Sequence, residues 1–386
     1  MLKKIFVLLL MMALLVACGS GNSDTPAQEE MDAGEETAVT ETESTTEEES
    51  SAAETISEES EPTVLTLMSH DSFAVSEEVL QTFESENNVT IELLPAGDTG
   101  AALNQAILTK DNPLADVFFG IDNTFMSRAL AEEIFIAYES PLLVEVAEEL
   151  QLDATHHLTP IDYGDVCINY DKSYFAEMGL DVPQSLSDLN DSNYASLLVV
   201  ENPATSSPGL AFLLATIAEF GTEGDYTYLD YWADLQANDV LVTNGWEDAY
   251  YGQFTVGGGG ERPLVVSYAS SPPAEFIYAD PPVEESPTAS VVADGTCYRQ
   301  VEFAGILKGT EHEALAQKLV DYMLSETFQE DIPLNMFVFP ANGNAELPQE
   351  FTDWAQIPDA PGAVDPAEID ANRESWIEAW TEIVLR

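Results

Sequence analysis

Four short clusters hold residue types suited to gripping a small molecule. His70-Asp71-Ser72-Phe73, Gly120-Ile121-Asp122-Asn123, Ser206-Ser207-Pro208-Gly209 and Tyr268-Ala269-Ser270-Ser271 each follow an apolar run that reads as a β-strand. Aromatic rings and carboxylates at strand ends suit a flat, cationic heteroaromatic ligand. A ring stacks on it, and a cation over a ring gains about 0.5–2 kcal/mol once desolvated. Free backbone N–H groups near Ser206, Ser207 and Gly209 suit an oxygen or phosphate, although the same serines also serve as plain helix caps. Catalytic patterns are missing from the sequence. There is no G-x-S-x-G, and Gly257 to Gly260 lacks the Lys-Ser/Thr of a phosphate cradle, so it reads as a loop or hairpin tip. The adjacent His156-His157 have no carboxylate or cysteine at ligand spacing and read as surface loop residues. No catalytic residue, metal site or cofactor is assigned, and with 71 acidic residues paired carboxylates carry no information.

The elements that must position these clusters follow from periodicity. Val64 to Met68 reads as a strand, Ser76 opens a helix with Val79, Leu80 and Phe83 on one face, and Val89 to Leu94 alternates as a second strand. Leu103, Ala106 and Ile107 mark another helix before the strand Ala115 to Phe119. A second series runs from the strand Leu197 to Val200 into a helix capped by Ser207 with Pro208 in its first turn, then to the strand Leu264 to Tyr268. Alternation of this kind predicts an α/β fold with mostly parallel sheets in two lobes, and ligands at strand carboxyl ends in the crevice between them. Trp376 and Trp380, on a helix predicted from Pro366 to Leu385, read as packing residues.

Residues 1–18 have Lys3 and Lys4, twelve apolar residues from Ile5 to Val16, and Leu15-Val16-Ala17-Cys18. Twelve residues are too few to span a bilayer, so this is a secretory leader; Leu-Val-Ala-Cys resembles a lipobox, with Cys18 as the lipidated new N-terminus. Residues 19–62 contain fifteen acids, no Lys or Arg and no aromatic ring, and read as a disordered tether. The remainder still carries 56 acidic against nine basic residues, so the tether does not account for the formal charge of -60. A polyanion excludes nucleic acid as partner; high-salt habitat or attraction of a cation are the two readings of the acidity.

Taken in order, the motifs resemble those of the thiamine-binding periplasmic proteins of ABC importers, a branch of the two-lobed solute-binding proteins that also includes iron and polyamine binders. The carriers are Asp71-Ser72-Phe73, Gly120-Ile121-Asp122-Asn123, Asp162-Tyr163-Gly164, Asn169-Tyr170-Asp171-Lys172, Thr205-Ser206-Ser207-Pro208-Gly209, Gly245-Trp246-Glu247, Ser267-Tyr268, Gln300-Val301-Glu302 and Ile332-Pro333 through Phe339-Pro340. The resemblance implies a class II binding-protein fold with lobe 1 over 63–165, lobe 2 over 166–297, two hinge crossovers, and 298–386 returning to lobe 1 with the C-terminal helices. It implies thiamine or a phosphate ester as ligand, a membrane permease as partner, a monomer, an extracytoplasmic lipid-anchored location and no catalysis. Trp246, Tyr268 and Phe337 would stack on the ligand, Asp122 would accept from its aminopyrimidine, and Ser206 and Ser207 would donate to its phosphate end. His70 stands where the family often has Tyr, and Phe337 where it often has Trp; a protonated His70 would repel a thiazolium. Tyr250-Tyr251 resemble the tyrosine pair of ferric-binding relatives, and in the thiamine branch line or support the cleft. Cys167 and Cys297 fall beside the two segments that cross between lobes, as a disulfide or as two buried thiols. The alternatives are a receptor for a polyamine or ferric iron, and a secreted thiamine-processing enzyme, which would need an activated cysteine.

Overall fold

The computed structural model describes residues 61–386; the leader, the Cys18 lipid site and the acidic tether lie outside them. The first half of the chain forms β1 (Thr63–Ser69), α1 (Glu77–Asn87), β2 (Val89–Pro95), α2 (Thr99–Leu108), β3 (Val117–Asp122), α3 (Met126–Ala131) and β4 (Phe135–Ile136). Next come β5 (Thr159–Asp171), α4 (Lys172–Met178), β6 (Leu198–Glu201), α5 (Ser207–Phe220), α6 (Tyr228–Ala237), β7 (Leu241–Thr243), β8 (Leu264–Tyr268), α7 (Pro272–Ile277) and β9 (Thr288–Val291). The chain closes with β10 (Tyr298–Leu307), α8 (Glu313–Met323), α9 (Glu326–Gln329), α10 (Ile332–Asn335), β11 (Phe339–Pro340), α11 (Gln349–Thr352) and α12 (Pro366–Val384).

All six residues of β3 are buried, as are Leu65, Leu67 and Met68 of β1, because helices cover both faces of the sheet. In the first half β1 lies between β2 and β3, parallel to both; in the second, β6 lies between β7 and β8, again parallel to both. Between these parallel parts run the long strands β5 and β10, antiparallel to each other from Thr159↔Ala304 to Val166↔Tyr298. They also pair antiparallel with β8 and β3 respectively, so one sheet runs through the whole described region. The centre is antiparallel because the chain leaves the first half along β5 and comes back along β10. Just past the last of these pairs, Cys167 and Cys297 are joined in a disulfide between fully buried residues.

Local chemistry sets the helix starts. Ser76 caps α1 through Val79 N–H, and Asn88 ends it in the left-handed conformation. For α5 the cap is Ser206, one residue before the Ser207 expected from the sequence, with its hydroxyl accepting from Gly209 N–H and Pro208 in the first turn. Gly209 cannot be larger, since a Cβ there would sit 2.6 Å from the Glu201 carbonyl oxygen. On α12, Trp380 is fully buried with its ring edge-on to Trp232, 5.4 Å between centroids, which ties the last helix to α6.

Candidate functional site

A cavity of about 330 Å³ opens where the carboxyl ends of β1, β2, β7 and β8 converge over β10. Its walls come from the two halves and from the 335–338 loop. His70, Asp71, Ser72 and Phe73 follow β1, Asp98 and Thr99 follow β2, Ser207 and Pro208 open α5, and Tyr268 ends β8; Glu302 faces in from β10. Five aromatic side chains, Trp246, Tyr250, Tyr251, Tyr268 and Tyr278, share the lining with Phe73 and Phe337. Four carboxylates, Asp71, Asp98, Glu247 and Glu302, also reach it, and no lysine or arginine among the described residues does.

Each ring is fixed by its surroundings. A π-helical turn over Asp248–Gln253 brings Tyr250 under Trp246, 4.9 Å and 22° apart, and stands Tyr251 edge-on to the same indole. Trp246 Nε1 donates to Ser267 Oγ at 2.9 Å, which in turn contacts Ser271 Oγ at 3.0 Å. Tyr268 lies across Gly164, where a Cβ would come within 2.7 Å of its ring. Tyr278 and Phe337 meet edge to face across the mouth, 6.0 Å apart, and Phe337 holds this place with a backbone φ of 56°, a costly region for an aromatic residue.

Asp98 ties the two halves together. Its Oδ1 accepts from Thr99 N–H at 2.7 Å and Ser207 N–H at 3.2 Å, and its Oδ2 from Trp246 N–H at 3.0 Å. Beside it Gly100 N–H donates to the Thr205 carbonyl at 3.0 Å. The starts of α2 and α5 therefore face each other with one carboxylate between them. Burial raises the Asp98 pKa, partly offset by hydrogen bonds from Ser206, Trp246 and Ser207. Behind it Glu201 is fully buried with neither oxygen hydrogen-bonded, and burial pushes its pKa well up.

His70 packs its ring on Phe119 and the backbone of Gly120, with Nε2 3.5 Å from Glu302 Oε1. Burial lowers its pKa, but Glu302, Asp98 and Asp71 together outweigh burial and raise it. The histidine charge is thus compensated by the adjacent carboxylate, and the repulsion of a thiazolium foreseen from the sequence is offset locally.

Of the expected ligand residues, His70, Asp71, Ser207, Trp246, Tyr250, Tyr268 and Phe337 come together around the cavity. Three do not line it. Asp122 is fully buried and spent on its own turn: Oδ1 accepts from Thr124 N–H, Thr124 Oγ1 and Phe125 N–H, and Oδ2 from Gln300 Nε2. Ser206 is a buried cap, and Gly209 is closed off by that cap and by Glu201. The Ser207 amide is in the wall but already donates to Asp98. The sequence reading passed over Asp98, Glu302 and Tyr278 as lining groups, whereas Tyr251 lines the cavity beside Tyr250. Asp98 carried a usable signal, since it follows a strand and caps a helix as Ser206 does. Burial pushes the Tyr250 and Tyr251 phenols up, and among the described residues no group of three His, Cys, Asp or Glu is placed to hold a metal.

Burial pushes Asp122 up to about 7. An unfolded chain loses that proton near pH 4 and the folded protein near pH 7, so this contribution is full below pH 4 and is lost as pH rises to 7. Between pH 5 and 8 the loss is roughly 2–3 kcal/mol. The thermal midpoint in high salt, which screens surface repulsion, is therefore expected to be several degrees higher at pH 5 than at pH 8. Calorimetric melts of Asp122→Asn should show a smaller difference; an equal difference would assign the effect elsewhere.

Comparison with known proteins places this geometry. Residues 112–360 match the family model for bacterial extracellular solute-binding proteins. The chain is similar to the thiamine-binding periplasmic protein of Escherichia coli K12, 30% identical over 327 residues, covering 84% of this chain and 94% of that one. The protein of the same name from Salmonella typhimurium LT2 is 31% identical over 331 residues, with the same coverage. Among solved structures, a periplasmic thiamin binding protein superposes with a TM-score of 0.73 at 28% identity, covering 84% of this chain and 97% of that one. Iron-bound HitA from Pseudomonas aeruginosa, at 20% identity and a TM-score of 0.67, shares the fold.

Proposed function

Because this chain belongs to the bacterial extracellular solute-binding proteins, we propose that it captures thiamine, or a phosphate ester of it, between its two lobes and delivers it to an ABC transporter permease. The observation that carries the ligand class is the cavity lining: seven aromatic rings and four carboxylates with no lysine or arginine. Rings bind the flat faces of the ligand, and the carboxylates favour its fixed positive charge. A polyamine, flexible and without a π-face, makes no use of the rings, and a lining of seven rings serves a flat ligand better than a bare ferric ion.

Binding proceeds by population shift. A ligand held by His70, Asp71 and Phe337 on one side and by Trp246 and Tyr268 on the other meets all of them only when the halves are together. In this reading lobe 1 spans 63–165, lobe 2 spans 166–297, and 298–386 holds the return to lobe 1 along β10 and the C-terminal helices, the last of which packs on α6 of lobe 2. The protein works as a monomer, without a catalytic step, attached to the outer face of the membrane through lipid on Cys18. The apolar leader and the Leu-Val-Ala-Cys sequence support the anchor.

Calorimetric titration with thiamine, its phosphates, spermidine and ferric citrate tests the ligand class. Thiamine is expected to bind at micromolar or lower Kd and to be recovered intact. Trp246→Ala, which removes the indole stacked on Tyr250, is expected to weaken it at least about tenfold, or 1.4 kcal/mol. Heat with spermidine or iron and none with thiamine would overturn the ligand reading, and cleaved thiamine would make the protein an enzyme.

A further inference from the structure

Beneath the cavity three carboxyl groups stand in register on three adjacent strands. Glu302 of β10 is directly opposite Asp122 of β3 on one side and Asp162 of β5 on the other. Asp162 is fully buried, and neither of its oxygens receives a hydrogen bond from any N–H or hydroxyl donor. A buried carboxylate without a donor beside a second carboxylate is a costly arrangement. It is relieved when one acid proton lies between Asp162 and Glu302, making the pair a hydrogen bond. His70 Nε2, also buried and without a hydrogen bond, faces the same Glu302 from the end of β1. Glu302 is the member that reaches the cavity.

We propose that the Asp162–Glu302 pair holds one proton in the empty protein and releases it to solvent when a cationic ligand enters, so that cation capture is coupled to proton release. The inference rests on the reading of the ligand as cationic thiamine. The exchange balances: a protonated pair plus a cation gives an ionised pair beside the bound cation and one proton in solution. The ligand charge over Glu302 takes over the role of the shared proton, and the cavity does not gain a net charge.

The groups that act on the pair come from every strand around it. His70 after β1 meets Glu302 and is itself acted on by Asp98 after β2, Asp122 on β3 adds a like charge to Glu302, and the Tyr268 phenol of β8 feels Glu302, Asp122, Asp98 and Asp162. Tyr298 of β10 and Arg373 of α12 act on Asp122 from farther out. Asp162 is pushed well above the usual carboxylate range by burial and then by Glu302, which agrees with a retained proton near neutral pH. Because the three acids interact, the proton belongs to the pair and its neighbour rather than to a single oxygen.

Calorimetric titration of the protein with thiamine in buffers of different ionisation enthalpy at pH 6 tests this. The expected result is release of about one proton per thiamine, with Kd falling up to about tenfold per pH unit as pH rises, until the empty protein itself ionises. In Asp162→Asn the amide donates to Glu302 in place of the proton, so the buffer dependence and the pH slope are expected to fall to the smaller part carried by Asp122 and His70. Tight binding with the same heat in every buffer and a flat pH profile would overturn the coupling while leaving the ligand reading intact. Full proton release retained in Asp162→Asn would overturn its assignment to this pair. Failure of thiamine to bind at any pH would overturn the ligand reading, and the coupling with it. If the variant does not fold, the buffer and pH series on the native protein decides between release and no release.

Discussion

Asp98→Ala is expected to weaken thiamine binding about 100-fold or more. The Asp98 carboxylate accepts two amides, Ser207 and Trp246, from the opposite half of the molecule. Without it both N–H groups are left in a closed, poorly hydrated place with no acceptor, and each such group costs roughly 1–3 kcal/mol. The cost falls only on the arrangement in which the halves are together, because separated halves return these amides to water. It is therefore paid from ligand affinity: roughly 2–6 kcal/mol for the two groups, where 2.7 kcal/mol corresponds to 100-fold. Asp98→Asn keeps one accepting oxygen and should fall between. Titration of both variants, with small-angle scattering to follow closure, checks this; binding by Asp98→Ala within threefold of the native protein would show that the contact contributes nothing to closure.

The second large effect belongs to the buried disulfide. Cys167 and Cys297 are 130 residues apart in sequence, and a cross-link of that span restricts the unfolded chain severely. Replacing both by alanine is expected to lower the unfolding free energy by about 2–5 kcal/mol, read from denaturant midpoints. Thiamine affinity should stay within about threefold, because neither cysteine lines the cavity. A large loss of affinity with unchanged stability would mean that the bond sets lobe geometry and contributes little to folding.

Much of the frame was legible before the structure. The alternation in Val89 to Leu94 and the strand-then-cap sequence around Ser206 state local preferences, and local preferences decided β2 and the start of α5 to within a residue. The antiparallel centre was not legible, since nothing in either strand alone says that Glu302 pairs with both Asp122 and Asp162. The site divided along the same line. His70 and Tyr268 could be placed at strand ends from the sequence pattern, and Trp246 only through the family resemblance. Asp122 was misread for a local reason: the turn through Thr124 and Phe125 folds its donors back onto the carboxylate and buries it. Asp98 was missed for a distant one, since the amides it serves lie 109 and 148 residues further on. Tyr278 lines the cavity edge-on to Phe337, a contact between residues 59 positions apart that no local pattern announces.

The return of the chain along β10 also fixes an order of assembly. Strands β5 to β9 lie in one stretch of sequence, so the second half has its own strands in hand once residue 291 has emerged. The first half does not. Its β3 edge stays open until β10 arrives, with Asn123 waiting for Val301 178 residues later. A chain delivered from its N-terminus therefore carries an unpaired strand edge, apolar except at Asp122, through most of its passage out of the cell, the kind of edge that recruits other chains. The half that begins first waits for a strand made long after its own, and truncation anywhere before residue 298 leaves it without that central partner.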